Sequence, residues 1–448
     1  MKVTTKTDIK EFPLLNRGKV RDIYDIDDST LLIVTTDRMS AFDVIMNEPV
    51  PYKGVILNQI TLFWMKKFAH LVKNHLIESD VDKFPAALAP YREELEGRSV
   101  LVKKAKPHVG TDILKDVVRE MRREIVKNGG EVHFRTALTG VSLKNGALTA
   151  VRADGMDIPC ERAIIAVGHS ARDTFLALHE NGVYFEPKAF SVGVRIEHLQ
   201  SELDRALYGK FAGHPLLPPA EYNLSRRADG RACYSFCMCP GGFVVPAASG
   251  PEQIVVNGMS PSNRGSVWAN SGMVVELQPE DFGARFSMFG VLAGIKFQED
   301  LERQCYLNGN CKQTAPAQRM TDFVNRRNSF DLPRSSYSPG LIASPLHFWL
   351  PDFIAARLQE GFKYFGKVSH GFLTREAVMI GVETRTSSPV RIPRDRESMT
   401  HIRLRGFYPC GEGAGYAGGI VSAAIDGERC AEALAMQIKQ SSSFDCSV

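Results

Sequence analysis

A glycine-dense turn between a strand and a helix, late in the sequence, limits the possible folds more than any other feature. HIRLRGFYPC has the pattern of a strand, GEGAGYAGG follows it, and IVSAAIDGERCAEALAMQIKQ has the pattern of an amphipathic helix. Gly413, Gly415 and Gly418 fit GxGxxG, and glycine lets backbone N–H groups approach an anion or a flavin at the positive end of a helix. A tight turn without a ligand is the alternative, because isolated glycine motifs often match by chance.

The turn departs from the dinucleotide-binding fingerprint in one respect. That fingerprint opens a βαβ unit and has an acidic residue about 20 positions further on. No second strand follows the helix in this sequence, so we expect the turn to serve another part of a ligand. Glu412, just before the GxGxxG run, is placed to accept hydrogen bonds from sugar hydroxyls.

The pattern changes at Pro107. Before it, KVRDIYDI and TLLIVTTD predict a hairpin, residues 56–72 predict a helix, and RSVLVKKAK predicts a strand. After it, a helix capped by Thr111 or Asp112 is expected to stop at Gly129. Strands with turns at Asn145-Gly146 and Asp154-Gly155 follow, and ERAIIAVG predicts a buried parallel strand that ends at a ligand.

Composition excludes several classes of protein. The 448 residues are 44% hydrophobic and 24% charged, which is ordinary for a globular chain, and the net charge of +4 is too small to indicate a nucleic-acid or membrane partner. No apolar run is long enough for a transmembrane helix, and the N-terminus lacks the apolar region of a signal peptide. Nine cysteines without a CxxC pair predict a reducing, cytoplasmic location.

Seven ordered motifs resemble a bacterial family of uncharacterised FAD-dependent dehydrogenases, from about Pro107 to Lys439. They are PHVGTD, AIIAVGHSARDTF, YSFCMCPGG, NGMS, ANSGMVVEL, ETRTSSPVRIPRD and YPCGEGAGYAGGIVSAAIDG. The resemblance implies an FAD/NAD(P)-binding Rossmann-like domain with an inserted α+β domain. It also implies that the family's N-terminal GxGxxG βαβ unit is missing, because no GxG occurs before Gly411.

The same resemblance implies a set of FAD contacts. The ribityl chain would lie against Gly411, Glu412 and Gly413, and the pyrophosphate or isoalloxazine ring against the start of the last helix. The strand before GHSARD would end beside the flavin, and the backbone near Leu138 would meet adenine. The remaining implied cofactor residues are Ala166, Gly168, Gly418, Gly419 and Ile420.

A second resemblance covers about Leu14 to Pro107. GKVRDIYD, TTDRMSAFDV, YKGVILNQITLFW and GRSVLVKKAKP resemble SAICAR synthetase, the ATP-dependent ligase of purine synthesis, and imply its ATP-grasp-like small lobe. By this resemblance Lys19 and Arg21 would meet ATP phosphates, with magnesium. The residues implied near the nucleotide substrate are Arg38, Ser40 and Asp43. Without the resemblance, an exposed hairpin face is the favoured explanation of Lys19 and Arg21.

Two other groups of residues have alternative interpretations. Arg385 and Arg391 in ETRTSSPVRIPRD suit a substrate carboxylate or phosphate, or else a structural salt bridge. Cys233, Cys237 and Cys239 suit buried packing, which is favoured, or a thiol pair, and their spacing does not fit a zinc site. We predict no metal site.

The predicted domains are residues 1–106, a SAICAR synthetase-like lobe; 107–186 with 393–440, an incomplete FAD-binding domain; 187–392, an inserted substrate domain; and 441–448, a tail. The predicted function is an FAD-dependent oxidoreductase that transfers hydride through flavin to or from a small molecule. The alternatives are an inactive SAICAR synthetase ligase and a non-catalytic scaffold. The sequence leaves the oligomeric state open.

Overall fold

The chain forms two compact units, Met1–Val132 and His133–Val448, in a computed structural model. The described residues are 3–27, 29–41, 44–45, 48–70, 74–103, 108–214 and 217–444. Among them, no helix combines the length and the apolar character needed to cross a membrane.

The first unit is built around a five-stranded antiparallel sheet with the strand order β1-β2-β3-β7-β6. The strands are β1 (Leu14–Arg17), β2 (Arg21–Asp27), β3 (Thr30–Thr35), β4 (Ser40–Ala41), β5 (Val44–Ile45), β6 (Leu76–Glu78) and β7 (Ser99–Lys103), and the helices are α1 (Lys53–Lys67), α2 (Arg92–Leu95) and α3 (Thr111–Lys127). The predicted β2–β3 hairpin, the α1 helix and the β7 strand are confirmed.

Helix α3 confirms the helix predicted after Pro107, with one correction at its start. Gly110 occupies the N-cap position with φ 79° and ψ 144°, so the predicted cap at Thr111 or Asp112 is wrong by one residue. Glycine takes this conformation without the steric cost that a Cβ would add. The apolar residues of α3 are not buried, since Val118 is 58% and Ile125 is 52% exposed.

Buried charges hold the first unit together. Asp37 is fully buried and accepts hydrogen bonds from Arg98 Nη1 at 2.9 Å, from the Thr4 N–H at 2.8 Å and from the Gly54 N–H at 2.9 Å. Burial opposes the charge of Asp37, yet these three donors outweigh it and hold the pKa of Asp37 below its ordinary value. One carboxylate thus joins the N-terminal segment, the start of α1 and the residue before β7.

The second unit contains sixteen strands and eight helices within the described residues. The strands are β8 (Leu138–Lys144), β9 (Ala147–Ala153), β10 (Met156–Pro159), β11 (Ala163–Ile165), β12 (Glu186–Pro187), β13 (Phe190–Leu199), β14 (Ser225–Ala228), β15 (Arg231–Cys239), β16 (Phe243–Pro246), β17 (Val256–Met259), β18 (Trp268–Leu277), β19 (Ala315–Arg319), β20 (Leu341–Ala343), β21 (Val378–Glu383), β22 (Val390–Arg391) and β23 (Phe407–Pro409). The helices are α4 (Arg172–Glu180), α5 (Gln200–Tyr208), α6 (Ala284–Ser287), α7 (Ala293–Asn308), α8 (Met320–Val324), α9 (Leu346–Trp349), α10 (Asp352–Val368) and α11 (Ile420–Phe444).

A seven-stranded sheet in the order β14-β15-β18-β13-β21-β19-β20 forms the centre of this unit. Its largest hydrophobic cluster packs the strands against α7 and α10. Strands β8, β9 and β10 form an antiparallel meander. Its turns have positive φ at Asn145 (51°) and Gly146 (70°) and at Asp154 (49°) and Gly155 (81°), which confirms both predicted turns. The mixed α/β class predicted from the sequence is confirmed, and the exact domain bounds stay a prediction.

We expect Asp37→Asn to destabilise the first unit by about 3–5 kcal/mol, because the buried Arg98 loses its counter-charge. Asp27→Asn, at the exposed end of β2, is the control and should leave the unfolding midpoint nearly unchanged. Urea denaturation followed by hydrogen exchange in β2 and β3 measures both. Equal unfolding midpoints for the two variants would contradict the role given to Asp37.

Candidate functional site

Two parallel strands bring two glycine turns to the same edge. β11 pairs with β23 in parallel, so the residues that follow Ile165 and Pro409 leave the sheet side by side. A Cβ at Gly413 would lie 2.5 Å from the carbonyl oxygen of Gly168, which has φ 77°. Because only glycine allows this approach, the two turns form one surface of backbone groups beyond the strand ends.

The other residues of the predicted flavin surface lie around these turns. Ala166 is exposed after β11, and Gly418 and Gly419 have open space where a Cβ would be. Ile420, 68% exposed, begins α11, whose first N–H groups face away from the helix body. Leu138 opens β8 and packs into the hydrophobic cluster that contains Ile165 and Ala414.

Glu412 is held by a histidine from the other turn. Its Oε1 lies 3.2 Å from His169 Nδ1, and each side chain is 22% exposed. The carboxylate is therefore oriented by one partner and keeps a solvent-facing side. Sequence analysis did not select His169, because the pairing depends on the parallel alignment of β11 and β23.

An ion pair between Arg394 and Asp426 holds the glycine turn in place. Asp426 of α11 accepts the Gly411 N–H at 2.7 Å and the Arg394 Nη1 at 2.9 Å. The Arg394 guanidinium lies 3.8 Å from the centre of the Tyr416 ring, inside the same turn. Burial opposes the charge of Asp426, but Arg394 and the Gly411 N–H keep its pKa below the ordinary value. Sequence analysis missed both residues, although an aspartate on a helix about two turns after the glycines was a usable signal.

Two cysteines complete this support. Cys410, Asp426 and Cys430 approach one another closely enough to share a metal ion. The Arg394 Nη1, however, lies 3.2 Å from Cys430 Sγ, so a guanidinium already takes the place of a cation. We therefore assign this cluster to holding the turn.

Arg385 is engaged in a buried salt bridge. Its Nη2 lies 2.9 Å from Glu302 Oε2, and its Nη1 donates to Ser170 Oγ at 3.2 Å and to Ser249 Oγ at 2.6 Å. Glu302 has no exposed side-chain surface and also binds Arg172 at 2.7 Å. Burial opposes the charge of Glu302, yet the two arginines hold its pKa below the ordinary value. This network joins the GHSARD turn to the strand end at ETR.

Arg391 lies on the surface and flanks a lysine that sequence analysis did not select. Arg391 is exposed, and its guanidinium lies 5.4 Å from the centre of the Tyr416 ring. Burial, assisted by the charge of Arg391 and opposed by Glu412, lowers the pKa of Lys188. The Lys188 stem also approaches Gly415, where a Cβ would lie 3.2 Å from Lys188 Cδ. Lys188 is thus a perturbed titratable group beside the turn.

Four sequence motifs converge on a buried arginine of β13. Arg195 is fully buried, and its guanidinium binds Glu383 at 2.7 Å, Asn270 at 2.9 Å and the Cys237 carbonyl at 2.7 Å. A Cβ at Gly258 would lie 2.0 Å from Arg195 Nη2. The motifs YSFCMCPGG, NGMS, ANSGMVVEL and ETRTSSPVRIPRD therefore meet at one ionic centre. Its arginine was missed, although a charge inside an apolar strand is a recognisable signal.

The three cysteines of β15 do not share one environment. Cys233 and Cys239 are buried, as the favoured interpretation requires, but Cys237 is exposed, so buried packing is wrong for it. Its φ of 48° takes it out of regular strand geometry, which sequence alternation could not reveal. Cys305 and Cys311, which flank the YLNGN sequence, are both free thiols.

The ligase-like residues of the first unit are divided between surface and interior. Lys19 and Arg21 are exposed, with Arg21 opening β2. Arg38 is 4% exposed, and its guanidinium donates to Asp22 Oδ1 at 2.7 Å and to the Gly18 carbonyl at 2.8 Å. Ser40 lies in β4, and Asp43 lies outside the described residues.

Comparison with known proteins finds two families in one chain. The family model described as "FAD-dependent protein, C-terminal domain-like" matches residues 189–386, and the model described as "SAICAR synthetase" matches residues 14–121. An uncharacterized protein of Clostridium beijerinckii is 40% identical over 370 residues, which cover 82% of this chain and 67% of that protein. The predicted combination of the two resemblances is confirmed.

The SAICAR synthetase likeness is close but partial. A phosphoribosylaminoimidazole-succinocarboxamide synthase of Maridesulfovibrio salexigens is 65% identical over 106 residues, or 24% of this chain and 36% of that enzyme. The chain thus spans about a third of the length of that relative. A solved SAICAR-synthase from Saccharomyces cerevisiae is 32% identical with a TM-score of 0.23, covering 35% of this chain and 56% of that chain.

The lowered pKa of Glu302 predicts a pH-dependent effect of Glu302→Gln. The charged carboxylate stabilises the folded unit fully above its unfolded pKa of about 4.3. The stability difference between wild type and variant should therefore stay constant from neutral pH down to about pH 5 and shrink at lower pH. Urea denaturation at a series of pH values measures this difference.

Glu299→Gln is the matched control, because Glu299 lies on the same helix and pairs with Lys296 near the surface at 2.9 Å. Its stability change should stay below about 1 kcal/mol at every pH. A Glu302→Gln effect as small as that of the control would show that the arginine pair does not depend on this carboxylate.

Proposed function

The chain belongs to the family of the Clostridium beijerinckii protein and contains the segment matched by the FAD-dependent family model, and we propose that its second unit is the flavin-binding part of an oxidoreductase. The observation that carries the proposal is the approach of Gly413 to Gly168, which builds a surface of backbone groups beyond two parallel strands. In this proposal β11 and β23 belong to a Rossmann-like FAD/NAD(P)-binding domain. The seven-stranded sheet belongs to its inserted substrate domain.

The residues present suit one end of FAD better than the other. The Gly411–Gly413 turn, held by Asp426, would receive the ribityl chain, and Glu412 would accept hydrogen bonds from its hydroxyls. Gly418 and Gly419 leave room for a close approach at the start of α11. The GxGxxG βαβ unit that would hold the pyrophosphate is absent from the sequence before Gly411, so the phosphates should contribute little.

Several side chains near the proposed flavin surface would have separate roles in the reaction. A bound flavin would supply hydride transfer through its N5 atom. Lys188 Nζ, whose pKa burial lowers, would hold or release a proton for a small-molecule substrate. Arg391, exposed beside Tyr416, would attract an anionic group of that substrate. Arg385 would position the GHSARD turn through Ser170 rather than touch the substrate.

Titration of the full-length protein with FAD, FMN and riboflavin, followed by flavin fluorescence, tests the proposal. We expect all three to bind with dissociation constants within about tenfold of one another, a difference of about 1.4 kcal/mol. Gly413→Ala should weaken all three by at least about tenfold, because its Cβ would meet the Gly168 carbonyl oxygen at 2.5 Å.

Gly427→Ala is the control, since a Cβ at Gly427 in α11 meets nothing within 4 Å. It should leave flavin affinity unchanged, and circular dichroism checks that both variants fold. A folded wild-type protein that binds no flavin would refute the proposal. FAD binding far more tightly than riboflavin would show that this chain has residues that hold the pyrophosphate.

For the first unit we propose a remnant ATP-grasp-like lobe without ligase activity. Lys19 and Arg21 remain exposed as a phosphate-facing pair would require, but only about a third of the related enzyme is represented. Phosphoryl transfer needs groups that converge from both lobes. ATP and magnesium would therefore bind weakly and without turnover.

Calorimetric titration with magnesium ATP should show no binding tighter than about 1 mM, or about −4 kcal/mol. Lys19→Ala combined with Arg21→Ala should give the same heats as the wild type. A saturable isotherm that this double variant abolishes would establish an ATP site. A chain that binds neither flavin nor ATP would instead favour the non-catalytic scaffold.

A further inference from the structure

Strand β15 contains an extra residue at the CMC sequence. Phe236 pairs with Gly272 of β18 and Cys239 pairs with Asn270, so two residues of β15 face one residue of β18. Cys237, inside this bulge, has φ 48°, a left-handed conformation that costs a non-glycine residue of the order of 1 kcal/mol. Bulges re-aim side chains and often lie next to active sites.

The bulge exposes one thiol and leaves its neighbour buried. Cys237 is exposed, whereas Cys239 is 6% exposed. The Cys239 Sγ donates to the carbonyl oxygen of Cys237 at 3.5 Å, so the sheltered thiol lies against the backbone of the exposed residue. An accessible thiol beside a second, sheltered thiol is the arrangement in which a mixed disulfide on the first can be displaced by the second.

The ionic centre below the bulge favours a thiolate. Arg195 Nη2 donates to the Cys237 carbonyl at 2.7 Å and lies 3.6 Å from Cys239 Sγ. The side chain of Cys239 and the charge of Arg195 lower the pKa of Cys237 to about 6, although partial desolvation of the thiol and the charge of Glu383 oppose them. The neighbouring Cys237 side chain and burial raise the pKa of Cys239. The exposed sulfur is therefore the nucleophile of the pair.

We propose that Cys237 and Cys239 form a thiol–disulfide exchange site that reduces a low-molecular-weight disulfide, with Cys237 as the attacking and Cys239 as the resolving residue. The Cys237 thiolate attacks one sulfur of RSSR. The S–S bond of RSSR breaks, so Cys237–SR forms and RS⁻ leaves. RS⁻ takes the Cys239 proton. The Cys239 thiolate then attacks the Cys237 sulfur, forms the Cys237–Cys239 bond and releases the second RS⁻.

The electrons balance within this exchange. The two cysteines lose two electrons, and RSSR gains them to become two thiols, one protonated by Cys239 and the other by water. When the mixed disulfide removes the negative charge of Cys237, Cys239 ionises more easily next to Arg195. The proposal goes beyond the flavin function and does not depend on it, because one turnover needs no cofactor.

The first measurement is the rate of carbamidomethylation of each cysteine in the full-length protein, with limiting iodoacetamide at neutral pH and peptide mass spectrometry. Cys311 is the internal control, because it is also exposed and has a positive φ of 52°. We expect Cys237 to react at least about tenfold faster than Cys311, owing to its larger thiolate fraction. Equal rates would overturn the proposal.

The second measurement is exposure of the reduced protein to glutathione disulfide. In the wild type, the peptide containing Cys237 and Cys239 should lose two hydrogen masses and carry no glutathione, whereas Cys239→Ser should retain one glutathione on Cys237. Cys237→Ser should show neither product. Glutathione that stays on Cys237 in the wild type would refute resolution by Cys239, and this result is independent of how the variants fold.

Discussion

The ion pair between Arg195 and Glu383 lies inside the seven-stranded sheet, where a charge without partners would cost several kcal/mol. The sheet satisfies it with side chains and backbone from three further strands or loops, including Asn270 and the Cys237 carbonyl. Glycine at Gly258 is required for space beside the guanidinium. Motifs of the second unit that are distant in sequence thus all contact the buried Arg195 guanidinium.

Three consecutive residues connect this ion pair to the glycine turns through hydrogen bonds and a second ion pair. Glu383 binds Arg195, Thr384 donates to Glu302 at 2.6 Å, and Arg385 binds Glu302 and reaches Ser170 in the GHSARD turn. The strand end therefore joins the interior of the sheet to the proposed flavin surface. An arginine that suits a substrate by its chemistry is here explained by its bonds to the buried Glu302 and to Ser170 of the GHSARD turn.

The sequence predicted those features that depend on local pattern. The β2–β3 hairpin, the Asn145-Gly146 turn, the parallel strand before GHSARD and the last helix were all found, since each follows from periodicity or turn chemistry. Pairings between distant segments, such as His169 with Glu412 or Asp426 with Gly411, were not. They depend on which strands become neighbours, and a single sequence does not encode that as a local signal.

The bulge at Cys237 shows a second limit of predicting structure from sequence pattern. Alternation along β15 places its cysteines together, and one additional residue relative to β18 changes the exposure of Cys237 without altering the composition of the strand. A burial prediction from alternation fails wherever the register shifts. Because such shifts accompany functional sites, the residue that the pattern misplaces is also the one of most chemical interest.

The contact of Gly413 with Gly168 has a consequence for the history of the chain. A side chain at Gly413 would clash with the backbone of the GHSARD turn. The backbone positions of the two turns are therefore coupled. A recombination breakpoint between them would combine turns from different parents. A junction at Pro107 precedes both turns and transfers them as a matched pair, so an exchange of the N-terminal segment at this point keeps the geometry of the glycine surface.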